Sequence, residues 1–299
     1  MDALTEFSEY LQSRIDTGEN VPLDPGLHQS FSLRLTLLLD GYKTTGTIGP
    51  NVQKISVEEG PEVFERINYS ATGESIFYLS EDGPTHIRVS DGKRLPPPDG
   101  AEVASRVNRK SDDGVYYADR SDYVGVFENA TGRQVAQLSW QRDSYEACTV
   151  NVAFSHDNQH VAVSYAYDNA VRVWTLESGE YLGEFKAPDH EAALSFSPDG
   201  KFLLAGTKRG SVLFSLETKL WVYRNTTSQI FSVGYHPFGK SCAIGSVENH
   251  IEIIDLEALQ RHETKPFDVI VEQIIEHKDL WFSQSDLDME SLYYRAFQL

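Results

Sequence analysis

The chain has 299 residues, of which 45 are Asp or Glu and 26 are Lys or Arg, so its formal net charge is −19. This charge balance argues against a nucleic-acid-binding protein, because phosphate backbones are bound by clustered Lys and Arg side chains. With 40% hydrophobic residues the chain can bury a sizeable core, and the composition predicts a folded globular protein.

The first 20 residues predict a short amphipathic helix that precedes the main domain. Leu4, Phe7, Leu11 and Ile15 recur every three or four residues, and Gly18 provides a helix stop. No secretory signal and no apolar run of membrane-spanning length is found, so we expect a cytoplasmic protein with no membrane contact. From residue 31 to 39 the apolar period changes to two, which predicts a β-strand.

A strand–turn–strand pattern repeats along the rest of the chain. Leu194–Gly206 and Val233–Gly245 align at an offset of 39 residues, with matching apolar, Pro, Gly-Lys and final Gly positions. Val152–Ser164 is a third copy, and Ile67–Leu79 is a fourth. The recurrence predicts one supersecondary unit that is used several times.

A second marker, an alternating strand, follows each copy. Its equivalent positions are spaced by 37, 47, 40, 40 and 40 residues, at Val89, Val126, Val173, Leu213, Ile253 and Tyr293. Val52–Val57 is a weaker seventh copy of the same marker. A period near 40 with several strands per repeat is typical of a β-propeller, which closes a ring of four-stranded sheets called blades.

These residues resemble the WD-repeat family from about residue 60 onward. Trp174 stands at the family's Trp position, Asp168 precedes it by six residues, and Ser164 is at the family's Ser position. Asp189-His190 is the remnant of the family's Gly-His pair. The resemblance implies a seven-bladed propeller over residues 21–299, with six blades as the alternative if the first is incomplete, and a ring closed by the strand at 31–39.

Sequence patterns that suggest catalysis or ligand binding lack the required context. Gly234–Ser241 satisfies the phosphate-loop pattern, but the residues after it read as strand, turn and strand rather than as a helix, which indicates a propeller turn. Cys148 and Cys242 are too few for a disulfide framework or a zinc site. The sequence contains no motif that would place a nucleophile next to a general base, so we predict no catalytic, cofactor or metal site.

The family resemblance also implies a partner-binding rim, formed by the loops after the second strand of each repeat. The candidate rim residues are Tyr165, Tyr167, Arg120, Lys208, Arg209 and Asn249. We therefore expect a non-catalytic scaffold for protein–protein interaction that is monomeric by itself and, given its acidic charge, favours basic partners. The alternatives are a lactonase- or dehydrogenase-like propeller enzyme with a site at the central channel, and an acidic inhibitor of a basic effector protein.

Overall fold

The computed structural model describes a stretch of the chain that forms one compact unit from Val52 to Asp255. The described residues are 52–57, 64, 66–80, 83–96, 110–120, 124–138, 150–166, 169–190, 192–219, 221–225, 229–246 and 250–257. The predicted helix within residues 1–20, the strand at 31–39 and the marker around Tyr293 lie outside them.

Every named element of this unit is a β-strand, and the predicted all-β class is confirmed. The strands are β1 Val52–Ser56, β2 Arg66–Tyr69, β3 Ser75–Ser80, β4 Gly83–Arg88, β5 Arg94–Leu95, β6 Tyr116–Arg120, β7 Val124–Glu128, β8 Gln134–Leu138, β9 Val150–Phe154, β10 His160–Tyr165, β11 Ala170–Thr175, β12 Tyr181–Lys186, β13 Ala193–Phe196, β14 Phe202–Thr207, β15 Gly210–Ser215, β16 Trp221–Asn225, β17 Ile230–Tyr235, β18 Ser241–Ser246 and β19 His250–Asp255.

These strands form five antiparallel sheets within the described residues. Three sheets have four consecutive strands, β2 to β5, β9 to β12 and β13 to β16, and one has three, β6 to β8. The fifth has the order β1-β19-β18-β17, so its fourth strand comes from the opposite end of the unit. A repeated four-stranded meander is the unit that the sequence period predicts, whereas the number of blades, six or seven, stays a prediction.

The role of Val52–Val57 differs from the one predicted. The alignment assigned this segment to the third-strand marker of a weak seventh copy, but β1 is the fourth strand of the last sheet, and Val52 pairs with Ile254 and Ser56 with His250. The prediction was wrong because a five-residue alternating strand has the same pattern whether it lies third or fourth in a sheet.

Apolar side chains join the sheets through clusters that each span two neighbours. One joins β6–β8 to β9–β11 and buries Trp174, which is 2% exposed and was predicted to be a core residue. A second joins β10–β12 to β13–β15, and a third joins β1, β18 and β19 to β2–β4. A fully buried Leu, Ile or Phe contributes about 1.5–3 kcal/mol, so these clusters dominate the stability of the unit.

Close packing explains a glycine of the phosphate-loop pattern. A Cβ atom on Gly234 would lie 2.6 Å from the backbone oxygen of Ile67 in the next sheet, so only glycine allows this approach. Gly234 lies in β17, and Ser241, the last residue of the pattern, begins β18. The prediction of a strand–turn–strand segment here is confirmed.

Backbone irregularities recur at equivalent positions and support the repeat alignment. The register of the third and fourth strands shifts directly after Val126, Val173 and Leu213, three residues that the marker alignment made equivalent. Positive φ angles also recur in the turns between first and second strands, at Gly73, Gly114, Asn158, Gly200 and Gly239. The repeats therefore share backbone geometry as well as apolar spacing.

No helix in the part of the chain that the structure describes is long and apolar enough to cross a membrane.

Candidate functional site

The predicted rim lies at one end of the sheets, where each second strand turns into the third. We call this the rim end, where β3, β6, β10, β14 and β18 end and β4, β7, β11, β15 and β19 begin. The opposite end, where each first strand turns into the second, is the hairpin end, formed by residues 70–74, 111–115, 155–159, 197–201 and 236–240. Antiparallel pairing within each sheet separates the two sets of loops by the length of a strand.

Lys208 and Arg209 form the clearest part of the rim end. They are the two residues of the tight turn between β14 and β15, and both are exposed. The turn is fixed by Thr207, whose Oγ1 donates to the carbonyl of Gly210 at 2.9 Å and accepts from the amide of Arg209 at 3.2 Å. Two exposed cations are thus presented on a rigid hairpin.

Arg209 connects this turn to the loop between β12 and β13. Its Nε lies 3.7 Å from Oδ2 of Asp189, and Arg209 is 78% exposed, so this ion pair contributes little stability. Asp189 Oδ1 accepts from the amide of His190 at 2.9 Å and lies 2.7 Å from His190 Nδ1. The Asp189-His190 remnant therefore organises a loop beside the predicted rim turn.

Tyr165 ends β10 at the rim end, as predicted, but its ring is only partly accessible. It packs against the apolar cluster of the neighbouring sheet, and the guanidinium of Arg172 lies 5.7 Å from the ring centroid. Arg172 is 3% exposed and is 3.0 Å from Glu184. Part of Tyr165 is thus committed to the fold, which the sequence pattern did not reveal.

The other three predicted rim residues are Arg120, Tyr167 and Asn249. Arg120 is the last residue of β6 and so occupies a rim-end position. Tyr167 and Asn249 lie outside the described residues. The structure therefore brings Lys208 and Arg209 together and places Tyr165 and Arg120 on the same end of their sheets.

Three loops at the hairpin end share a hydrogen-bond circuit that the sequence analysis did not identify. In each, a Ser hydroxyl donates to an Asp two residues later, at 2.7 Å for Ser111 and 2.6 Å for Ser155 and Ser197. The same Ser hydroxyl accepts a hydrogen bond from the backbone amide of the residue five positions after the Ser. The Asp carboxylate accepts a hydrogen bond from the backbone amide of the residue two positions after the Asp. The recurring Ser-x-Asp spacing is the signal that could have predicted it.

These circuits keep the aspartates charged. The hydroxyl of Ser111 and the amide of Val115 both donate to Asp113, and they lower the pKa of this carboxyl group below its ordinary value. Asp157 also has a lowered pKa, because hydrogen bonds from Ser155 and Gln159 outweigh the opposing effect of desolvation. The hairpin end therefore carries fixed negative charges at neutral pH.

A buried polar cluster lies on β18 and β19. Ser246 Oγ and Glu252 Oε1 each lie 3.3 Å from the same atom, Nε2 of His250, and Lys54 Nζ of β1 lies 3.2 Å from Glu252. The geometry of this cluster fits a role in joining β1 to β19.

Cysteine and metal chemistry receive no support from the described residues. Cys242 is buried, as predicted, and burial raises the pKa of its thiol. No group of three or more His, Cys, Asp or Glu residues in the described ranges could hold a metal ion.

Comparison with known proteins identifies a repeat in this unit. A family model described as "WD domain, G-beta repeat" matches residues 133–175, which include β8 to β11. Protein groucho of Drosophila melanogaster is 30% identical over 118 residues, which are 38% of this chain and 15% of that protein. WD repeat and SOCS box-containing protein 1 of Homo sapiens is 42% identical over 64 residues, 21% of this chain and 15% of that protein.

The chain therefore spans less than a sixth of the length of these curated relatives. The matched segment contains the WD-type Trp174 and the repeated register shift, and it lies in a unit of antiparallel four-stranded sheets of the kind found in β-propellers. Taken together, the repeat match, the relatives and the sheets show a WD-type repeat within an all-β unit whose sheets resemble the blades of a WD-repeat propeller.

Proposed function

We propose that the chain is a non-catalytic, cytoplasmic platform for protein–protein interaction and that a partner binds at the rim end. The observation that supports this most directly is the exposed pair Lys208 and Arg209, which a rigid two-residue turn holds on the buried strands β14 and β15. Loops fixed on a rigid scaffold commonly carry binding function. WD-repeat relatives also favour a scaffold role.

The rim comprises, in this proposal, the residues with rim-end positions in the sequence pattern. They are Tyr165, Tyr167, Arg120, Lys208, Arg209 and Asn249. The accessible part of Tyr165 supplies a partly rigid aromatic contact, because Arg172 and the apolar cluster hold its ring. Such preorganised aromatic groups lose little entropy on binding.

We further propose that the chain is monomeric by itself and that its partner carries a basic surface. The net charge of −19 supports the second point, because opposite charges accelerate encounter between two proteins. Salt screens such attraction, so binding should weaken as ionic strength rises. Light scattering of the purified chain checks the monomeric state.

The rim is tested by the double variant Lys208→Ala/Arg209→Ala. Protein captured from a native lysate by the wild-type chain and by the variant is compared by mass spectrometry at low and high salt. The matched control is Lys93→Ala/Arg133→Ala, which removes the same charge from exposed positions in turns between third and fourth strands, outside the loops that form the rim end and the hairpin end. We expect the rim variant to lose a salt-sensitive partner that the control retains; identical partner sets for both variants would contradict the rim.

A further inference from the structure

One hairpin-end loop departs from the circuit of its neighbours. In residues 236–240, His236 and Phe238 occupy the positions of the Ser and Asp of the Ser-x-Asp loops. The turn keeps the same backbone hydrogen bonds, from Gly239 to the carbonyl of His236 and from His236 to the carbonyl of Ser241. The ring nitrogen Nδ1 of His236 accepts the amide of Phe238 at 3.1 Å. The turn therefore takes the same backbone form with Phe at this position as it does with Asp in the Ser-x-Asp loops.

Phe238 is nevertheless the most exposed large hydrophobic residue among the described residues, at 58%. An Asp at this position, as in the three Ser-x-Asp loops, would avoid the cost of exposing an aromatic ring to water. Because the turn takes the same backbone form with Asp at this position, the exposure of the ring points to a role in binding. Exposed aromatic residues on rigid turns commonly act as anchors at protein interfaces.

Two further rings support Phe238 and fix its position. The ring of His236 is 5.6 Å from that of Phe238 and 5.1 Å from that of Tyr69, in the neighbouring sheet. Tyr69 is held in turn by a 3.0 Å hydrogen bond between its hydroxyl group and Ser241. A Cβ atom on Gly73 would lie 2.0 Å from Nε2 of His236, so the imidazole packs directly on this glycine. The anchor is thus preorganised.

The hairpin end as a whole carries an excess of negative charge, which favours a positively charged partner. Its five loops carry five carboxylates, Glu74, Asp112, Asp113, Asp157 and Asp199, and two lysines, Lys201 and Lys240, of which Lys240 lies in the loop of Phe238. Neighbouring loops also touch, since Nδ2 of Asn158 donates to Asp113 at 2.7 Å. An Arg side chain can stack on an aromatic ring and pair with such carboxylates at the same time.

We propose that the hairpin end is a second docking surface, in which Phe238 is the aromatic anchor for an arginine-bearing segment of a partner protein. This proposal rests on the proposed function only in its preference for basic partners, and it places the contact at the end of the sheets opposite the rim. The arginine guanidinium stacks against Phe238, and the excess of carboxylates over lysines at the hairpin end supplies the complementary charge.

The test uses the full-length chain and three fluorescein-labelled dodecapeptides with Arg-Leu-Ser, Asn-Leu-Ser and Glu-Leu-Ser repeats. Fluorescence anisotropy should show that the Arg peptide binds and that the other two bind much more weakly. Phe238→Ala should weaken binding of the Arg peptide by about fivefold or more, as expected for an aromatic anchor. Phe238→Asp should weaken it as well, although it adds a negative charge and restores the residue found in the neighbouring loops.

Val115→Ala is the matched control, because Val115 is an exposed hydrophobic residue, 41% exposed, in another hairpin-end loop. We expect Val115→Ala to change the affinity by less than about twofold. Unchanged binding in Phe238→Ala would overturn this proposal and leave the rim intact. Failure of the Arg peptide to bind the wild-type chain, or equal binding of the Glu peptide, would overturn the basic-partner preference as well.

Discussion

The two faces of the sheet β1-β19-β18-β17 are built differently. On one face, Ile55 of β1 and Ile251 and Ile253 of β19 pack against Ile67 and its neighbours on the next sheet. On the other face, β19 presents His250 and Glu252, which are 7% and 3% exposed, and Lys54 of β1 lies beside Glu252. Tyr223 of β16 faces this polar side, and its pKa is raised by burial and also by Glu252.

The two faces contribute to this sheet in different ways. Apolar burial is non-directional and scales with the area removed from water, so the Ile face supplies most of the free energy of this sheet. The Lys54–Glu252 pair is a single directional contact on the opposite face. A slip by one residue would turn both Lys54 and Ile55 to the wrong faces, so both faces specify how β1 pairs. Two predictions test this difference, and two smaller ones test other parts of the unit.

The largest effect is expected on the apolar face. Ile251→Ala should lower the free energy of unfolding by about 3 kcal/mol, since it removes a fully buried side chain and leaves a cavity. Urea denaturation measures this change, and Ile251→Val, which should cost about 1 kcal/mol, is the graded control. A loss below 1 kcal/mol for Ile251→Ala would show that this face is not the main source of stability.

On the polar face, Lys54→Ala should cost about 1 kcal/mol, because Lys54 is 60% exposed while its partner Glu252 is buried. Adding Glu252→Gln to this variant should recover part of the loss, since it removes the buried negative charge. A double-mutant cycle by urea denaturation gives the coupling energy. Gln53→Ala, at the exposed neighbour on β1, is the control, and zero coupling between Lys54 and Glu252 would refute the role of the pair.

A smaller effect is expected at Lys219, remote from the compared faces. Lys219 has a φ of 58°, whereas Gly92, Gly132 and Gly179 hold positive φ in equivalent turns. Lys219→Gly should raise the free energy of unfolding by about 0.5 kcal/mol, because relief of left-handed strain exceeds the added chain entropy. Thermal denaturation checks the sign, with Gly179→Ala expected to destabilise. Destabilisation by Lys219→Gly would show that its side chain contacts outweigh the strain.

The smallest effect is expected for the pH dependence of stability that arises from Asp113 at the hairpin end. The pKa of Asp113 is lowered in the folded chain, so its stabilising contribution is present above the ordinary Asp pKa and is lost as the pH falls through the lowered value. Asp113→Asn should therefore reduce the stability at pH 7 slightly and flatten its decline below about pH 4. Urea midpoints measured from pH 7 to pH 2 test this, and parallel wild-type and variant curves would contradict it.

Much of the fold followed from the sequence because the repeats keep their apolar spacing and turn residues. The alignment of Val126, Val173 and Leu213 predicted equivalent strands, and the register shifts after these residues confirm it. The position of β1 could not be predicted in this way. Five alternating residues fit several strand positions, and the pairing with β19, which sets Ile55 opposite Ile251 and Lys54 opposite Glu252, distinguishes them.

The candidate site was predictable where it depends on turn position alone. Lys208 and Arg209 could be placed in a loop by alignment with neighbouring repeats, and the structure shows them in the β14–β15 turn. The partial burial of Tyr165 depends on Arg172 of the adjacent strand, a contact between residues that no periodic pattern encodes. Phe238 was not predicted as a binding residue, because the segment that contains it, Gly234–Ser241, was examined only as a phosphate-loop pattern.

The pairing of β1 with β19 also has a mechanical consequence. Val52 lies opposite Ile254, so the chain enters β1 and leaves β19 at the same end of this strand pair. Tension applied between these two points pulls the strands apart from one end, and their hydrogen bonds are loaded one after another rather than all at once. A weak force on the flanking polypeptide would therefore peel β1 from β19 before it disturbs the meanders made of consecutive strands.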